Sequence, residues 1–273
     1  MSDVWLALGY ALFLWWFGTG AVLLMGRTSR TMSAGLAVGL GVVSLWGVWA
    51  TMDAQTPWSA AWAFTAGVGL WGFHEATFLS GALTGPRRAP CPPDARGWRR
   101  FRLAAATLIH HEIALALTTV GLALWLQGAA NPVALWTFVA LWVLRLSVKF
   151  NIFLGAPNVA DEFLPDDLRY LATYFSPRPM SLLFPFSVTL GTVAAGGLLL
   201  HAVTVAETGF AATGLTLVGA LTALGTLEHW FLVLPVREAA LWKWWTEKRA
   251  ERRANRADGA LKLMASTAPT PGR

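Results

Sequence analysis

The chain has 273 residues, 55% hydrophobic and 13% charged, with 16 Trp, a formal net charge of +6 and a mean hydropathy of +0.50. A soluble domain of this size carries about a quarter of its residues charged, so the composition excludes an ordinary soluble fold. Repeated apolar runs of about 20 residues match the hydrocarbon thickness as helices, and their continuity argues against the alternating pattern of a β-barrel.

Taken in chain order, the sequence predicts an all-α polytopic transmembrane helical bundle of about seven spans. The first covers 4–25; it lacks the basic leader and small-residue cleavage site of a secretory signal, and so reads as a retained span. The second covers 32–52, with Gly35 and Gly39 spaced as a close-packing face. The third, 58–84, holds His74 and Glu75. A basic, proline-rich loop at 86–100 ends that helix and stiffens the connection. It carries the single cysteine, Cys91, which has no internal disulfide partner.

The fourth span, 101–126, contains His110, His111 and Glu112 in a stretch from 103 onward otherwise free of ionisable groups. Each charge at bilayer depth costs roughly 2.5–3.5 kcal/mol, so three polar residues in a row need a partner, a proton, a metal or a cavity. The fifth span, 132–154, carries Arg145, Lys149 and Asn151. Between 155 and 181 the prolines break the pattern, and 165–175 reads as a short surface helix with an apolar face at Leu168, Leu171 and Phe175. The sixth span, 182–205, has His201 near its far end. The seventh, 212–236, holds Glu228 and His229. Residues 1–236 therefore form one membrane domain. Residues 237–262 read as a basic interfacial cytoplasmic helix with Trp at the headgroups, and 263–273 as a disordered tail.

With the amino terminus outside and the carboxyl terminus inside, all 21 Lys and Arg fall on or toward the inner side, and the outer side keeps Asp3, Asp53 and Glu207. This is the positive-inside pattern of a multi-pass bacterial inner-membrane protein. The excess basic charge reports topology and contact with membrane lipids, and gives no indication of nucleic acid.

Counted from the inner end of each span, His74, Glu75, His110, His111, Glu112, Arg145, Glu228 and His229 all lie roughly 12–16 Å deep at 1.5 Å per residue. Lys149 lies one turn below Arg145 and can snorkel to the surface. Four helices carrying polar groups at one level point to a shared buried cluster. Three readings stay open. One is a structural ion-paired cluster centred on Arg145. The second is a metal site, iron in particular, drawn from Glu75, His111, Glu112, Glu228 and His229. Against it, no Glu-x-x-His or His-x-x-x-His pair occurs, and adjacent helical residues point about 100° apart. The third is tetrapyrrole ligation by a histidine. The same spacing rule allows Glu112 and one neighbour, His111, to face inward together. No Gly-rich phosphate loop, Ser-His-Asp order or Cys-x-x-Cys pair occurs, and Gly18-x-Gly20 lacks the strand–turn–helix context of a nucleotide site.

Five segments carry a resemblance: 70–86 (LWGFHEATFLSGALTGP), 110–112 (HHE), 144–158 (LRLSVKFNIFLGAPN), 174–179 (YFSPRP) and 228–231 (EHWF). Together they resemble the PuhE-type photosynthetic complex assembly proteins of purple phototrophic bacteria, over about residues 5–245. The resemblance implies an inner-membrane factor for assembly of the reaction centre with its core antenna and for bacteriochlorophyll supply. Reaction-centre or core-antenna subunits and bacteriochlorophyll would be its partners. It brings no catalytic residues. The rival readings are an intramembrane di-iron-like oxidoreductase acting on a lipid-soluble pigment precursor, and a proton-coupled carrier.

Overall fold

The computed structural model describes residues 2–26, 28, 30–159 and 164–234. The expected interfacial helix at 237–262 and the tail at 263–273 lie outside the described residues. Among those described, the chain is all-helical: α1 (Ser2–Met25), α2 (Arg30–Thr51), α3 (Pro57–Leu79), α4 (Gly97–Ala105), α5 (Ile109–Trp125), α6 (Val133–Leu154), a 3₁₀ helix (Asp166–Tyr174), α7 (Phe184–Thr204) and α8 (Gly209–Phe231). Helices α1, α2, α6, α7 and α8 are long and apolar enough to cross a membrane. The α4–α5 pair, bent by 65°, makes a sixth if counted as one span. The protein is a helical membrane bundle.

Helix α3 is the hub, packed against α1, α2, α5, α6 and α8. Pro57 sits in its first turn, and Thr56 and Ser59 cap each other's backbone N–H groups. Its small residues let neighbouring backbones approach. A Cβ on Gly67 would stand 2.8 Å from the carbonyl oxygen of Ala134 on α6. The Gly35 and Gly39 pair, by contrast, meets nothing within 4 Å, and α2 packs through Gly41 on Phe73 and Gly47 on Ala66.

Helix ends sort into two layers. At one end the buried Asn131 side chain donates to the carbonyls of Thr51 and Ser59, at 3.1 and 3.2 Å, tying α2 and α3 to the start of α6. At the other end the 86–96 loop, α4 and the 3₁₀ helix form a basic cap. Arg87 donates to the Tyr174 hydroxyl at 2.7 Å, and Arg100 donates to Tyr174 and Phe153 carbonyls while stacking on the Phe153 ring. The expected 165–175 helix is 3₁₀ rather than α. Its inward face recurs every three residues, so Leu168, Leu171 and Tyr174 are buried and Phe175 drops out of register.

The continuous fourth span does not form. The chain turns at Ala106, Thr107 and Leu108, whose N–H groups bond back to Arg102, Ala104 and Ala105. The Ala106 carbonyl accepts from Arg87 N at 3.0 Å, and His111 N donates to the Thr84 carbonyl at 3.0 Å. The 84–87 segment thus takes up backbone groups that a straight helix would use internally. Gly85 makes this crossing possible, since a Cβ there would lie 2.6 Å from the Thr107 carbonyl carbon and 2.7 Å from Leu108 N. His110, His111 and Glu112 consequently occupy the first turns of α5, just after the bend.

Candidate functional site: a chamber with a charged wall

A chamber of about 670 Å³ opens between α1 and α2 on one side and α3, α6 and α8 on the other. The α4–α5 turn and the 3₁₀ helix contribute Thr107, Leu108 and Leu171 to its floor. Its walls are largely apolar, with Trp15, Trp71 and Phe78 among them. Four ionisable residues interrupt them: Glu75, Arg145, Lys149 and Glu228. Arg145 and Lys149 stand one turn apart on α6, so a single helix face presents both cations.

Each of these cations meets a carboxylate. Lys149 Nζ lies 2.6 Å from Glu112 Oε1, and the indole N–H of Trp142 donates to Glu112 Oε2 at 3.0 Å. The ammonium also lies 5.7 Å above the Phe78 ring centroid. Lys149 therefore turns inward, and the expected snorkelling toward the surface does not occur. Arg145 Nη1 lies 3.8 Å from Glu228 Oε2, while Trp15 on α1 donates its indole N–H to Glu228 Oε1 at 3.0 Å. The two pairs flank the chamber and join α5 to α6 and α6 to α8, and the Trp15 bond adds α1 to α8.

On the same wall stands a third acid with different surroundings. Glu75 lines the chamber, and 13% of its side chain stays accessible. Its Oε1 is buried and, among the described residues, has no hydrogen-bond partner. His111 Nε2 lies 4.0 Å away, beyond hydrogen-bond reach. The His111 side chain is fully buried and packs 4.7 Å from the Phe78 ring, and among the described residues neither ring nitrogen has a hydrogen-bond partner. His74 is better served: Nε2 pairs with the Thr118 hydroxyl at 2.9 Å, although Nδ1 has no partner among the described residues.

The remaining predicted residues fall elsewhere. His110 and His201 are exposed. His229 is buried, and its Nδ1 pairs with the Gly225 carbonyl and its Nε2 with the Ser147 hydroxyl, at 2.7 and 2.9 Å. From there a chain of hydroxyls and amides runs through Ser187 and Asn151 to Ser181, joining α6, α7 and α8. Serine and asparagine in apolar helices leave no periodic signal, which is why this network, Trp15 and Trp142 escape a reading of the sequence. The five candidate metal ligands, Glu75, His111, Glu112, Glu228 and His229, are thus split among four settings. Among the described residues no three His, Cys, Asp or Glu side chains gather as a metal site. No histidine lines the chamber either, so the chamber offers no axial imidazole to a tetrapyrrole; its donor set suits hydrogen bonding to a group on an otherwise apolar molecule.

The chain is 38% identical over 251 residues, covering 89% of its own length and 91% of the relative's, to an "uncharacterized 30.4 kDa protein in puhA 5'region" of Rhodobacter capsulatus. No solved structure matches it. The family described as "Protein of unknown function (DUF3623)" matches residues 1–253, and the chain belongs to that family.

Proposed function

We propose that this protein is an inner-membrane factor for assembly of the photosynthetic reaction centre–core antenna complex, and that its chamber holds a lipid-soluble pigment or pigment precursor for that purpose. The observation that carries the assembly reading is the full-length similarity to a protein encoded in the puhA 5' region. The segments that resemble PuhE-type assembly proteins point the same way. The chamber supplies the physical means, since its volume falls within the range of about 300–1,000 Å³ typical of small-molecule sites, its lining is apolar, and a few polar groups converge on it.

The topology we propose has seven passes, with the amino terminus periplasmic and the carboxyl terminus cytoplasmic. Helix α3, at 23 residues and about 34 Å, is long enough to be the seventh pass. Its small and polar residues lower its hydropathy because it packs against helices on several sides. The sorting of helix ends into two layers, with the arginine-rich cap at one of them, supports this arrangement.

The test is genetic. Deleting the relative's gene in Rhodobacter capsulatus should lower core-complex near-infrared absorbance, and restoring either that gene or this chain should recover it. Unchanged core-complex levels after deletion would sink the assembly reading. An intramembrane di-iron oxidoreductase remains the rival, but the ligand geometry described above does not favour it.

A further inference from the structure

We propose that the chamber recognises a neutral, lipid-soluble alcohol, whose hydroxyl donates to Glu75. The inference rests on the chamber being a holding site for a lipid-soluble molecule, and it specifies the chemistry of the occupant.

Charge matching leads to it. Glu112 has Lys149 and Trp142 as donors, and Glu228 has Trp15 as a donor and the Arg145 guanidinium as its ion-pair partner 3.8 Å away. Glu75 stands on the same wall, yet its nearest basic atom among the described residues is a fully buried histidine nitrogen 4.0 Å away. A buried carboxyl oxygen without a donor is costly, so a donor is what this position lacks. The donor's charge is constrained as well. Arg145 and Lys149 face the same space and repel a cationic occupant. Glu75 and Glu228 repel an anionic one. Among the described residues no three metal-ligating side chains gather for a metal ion. A neutral O–H supplies the missing donor, and the apolar walls take the rest of the molecule. His111 is a positioning residue in this scheme: it lies behind Glu75, fully buried, and packs it toward the chamber.

The test uses the full chain in dodecyl maltoside. The probe is hexadecan-1-ol bearing a mid-chain diazirine, compared with its methyl ether, and labelled peptides are mapped by mass spectrometry after irradiation. The alcohol should label wall peptides containing Trp15, Trp71 and Leu144 about tenfold more than the ether, the effect expected of one hydrogen bond to a carboxylate. Glu75→Leu should reduce the alcohol to the level of the ether. Glu75→Gln, which keeps an acceptor oxygen, should retain most of the preference. Equal labelling of the chamber by both probes would overturn hydroxyl recognition and leave the holding site standing. Labelling confined to lipid-facing positions for both probes would overturn the two together. If Glu75→Leu does not fold, the alcohol–ether comparison on the unaltered chain decides. The assembly reading is decided separately, by the deletion strain.

Discussion

Lys149 Nζ lies 2.6 Å from Glu112 Oε1, with both side chains mostly withdrawn from the surface, and the Trp142 indole holds the second carboxyl oxygen. This pair fastens the first turn of α5 to α6 at the edge of the chamber. An ion pair in such a setting is asymmetric: its net contribution is small, but removing one member strands the other. Lys149→Met alone should lower the stability of the detergent-solubilised protein by about 3–5 kcal/mol, read from chemical or thermal unfolding. Glu112→Leu combined with Lys149→Met should be less damaging than the sum of the single changes. Strict additivity in that double-mutant cycle would mean the two side chains do not act as a pair.

Gly85 and the turn at residues 106–108 give a second expectation. A methyl at residue 85 would press on backbone atoms of Thr107 and Leu108, which cannot rotate away as a side chain would. Gly85→Ala should destabilise the protein by at least about 1–3 kcal/mol, the range for overpacking. Gly39→Ala, at a glycine with open space around it, should be close to neutral by the same assay. Equal tolerance of both changes would contradict the packed crossing.

The single cysteine makes the orientation directly testable. Cys91 is half-buried in the loop of the basic cap, where its backbone N–H donates to the Thr173 hydroxyl at 2.8 Å. A membrane-impermeant maleimide should modify it in inside-out vesicles and leave it unmodified in sealed spheroplasts. In a Cys91→Ser background, Asp53→Cys should show the reverse. Labelling of Cys91 from the periplasmic side would invert the proposed topology.

Much of the fold is legible in the sequence because the bilayer constrains it so strongly: apolar length marks most helices, and the Lys and Arg positions sort their ends. The 100° step between helical neighbours accounts for His110 lying exposed while His111 beside it is buried, and it also sends His111 and Glu112 to different partners, Glu75 and Lys149. The same step explains why Glu228 and His229 diverge, one to the chamber wall and the other to Ser147. The break at 106–108 is a different matter. Residues 101–110 contain neither proline nor glycine, and the groups that hold the turn, Gly85 and the Arg87 amide, lie about 20 residues earlier. Depth counted along an assumed straight helix therefore merges groups that the fold separates into two ion pairs, an unpaired acid and a serine–asparagine network. Lys149 was legible as a polar residue in the span, but not its direction, because Glu112 reaches it only when α5 starts at the bend.

The most direct measurement of the central claim is the content of the full-length protein purified in mild detergent, read by native mass spectrometry with elemental analysis. One lipid-soluble organic molecule per chain is expected, displaced when the chamber is filled by Ala21→Trp, a substitution on its α1 wall. Two equivalents of iron per chain, or a protein carrying nothing that Ala21→Trp removes, would contradict it.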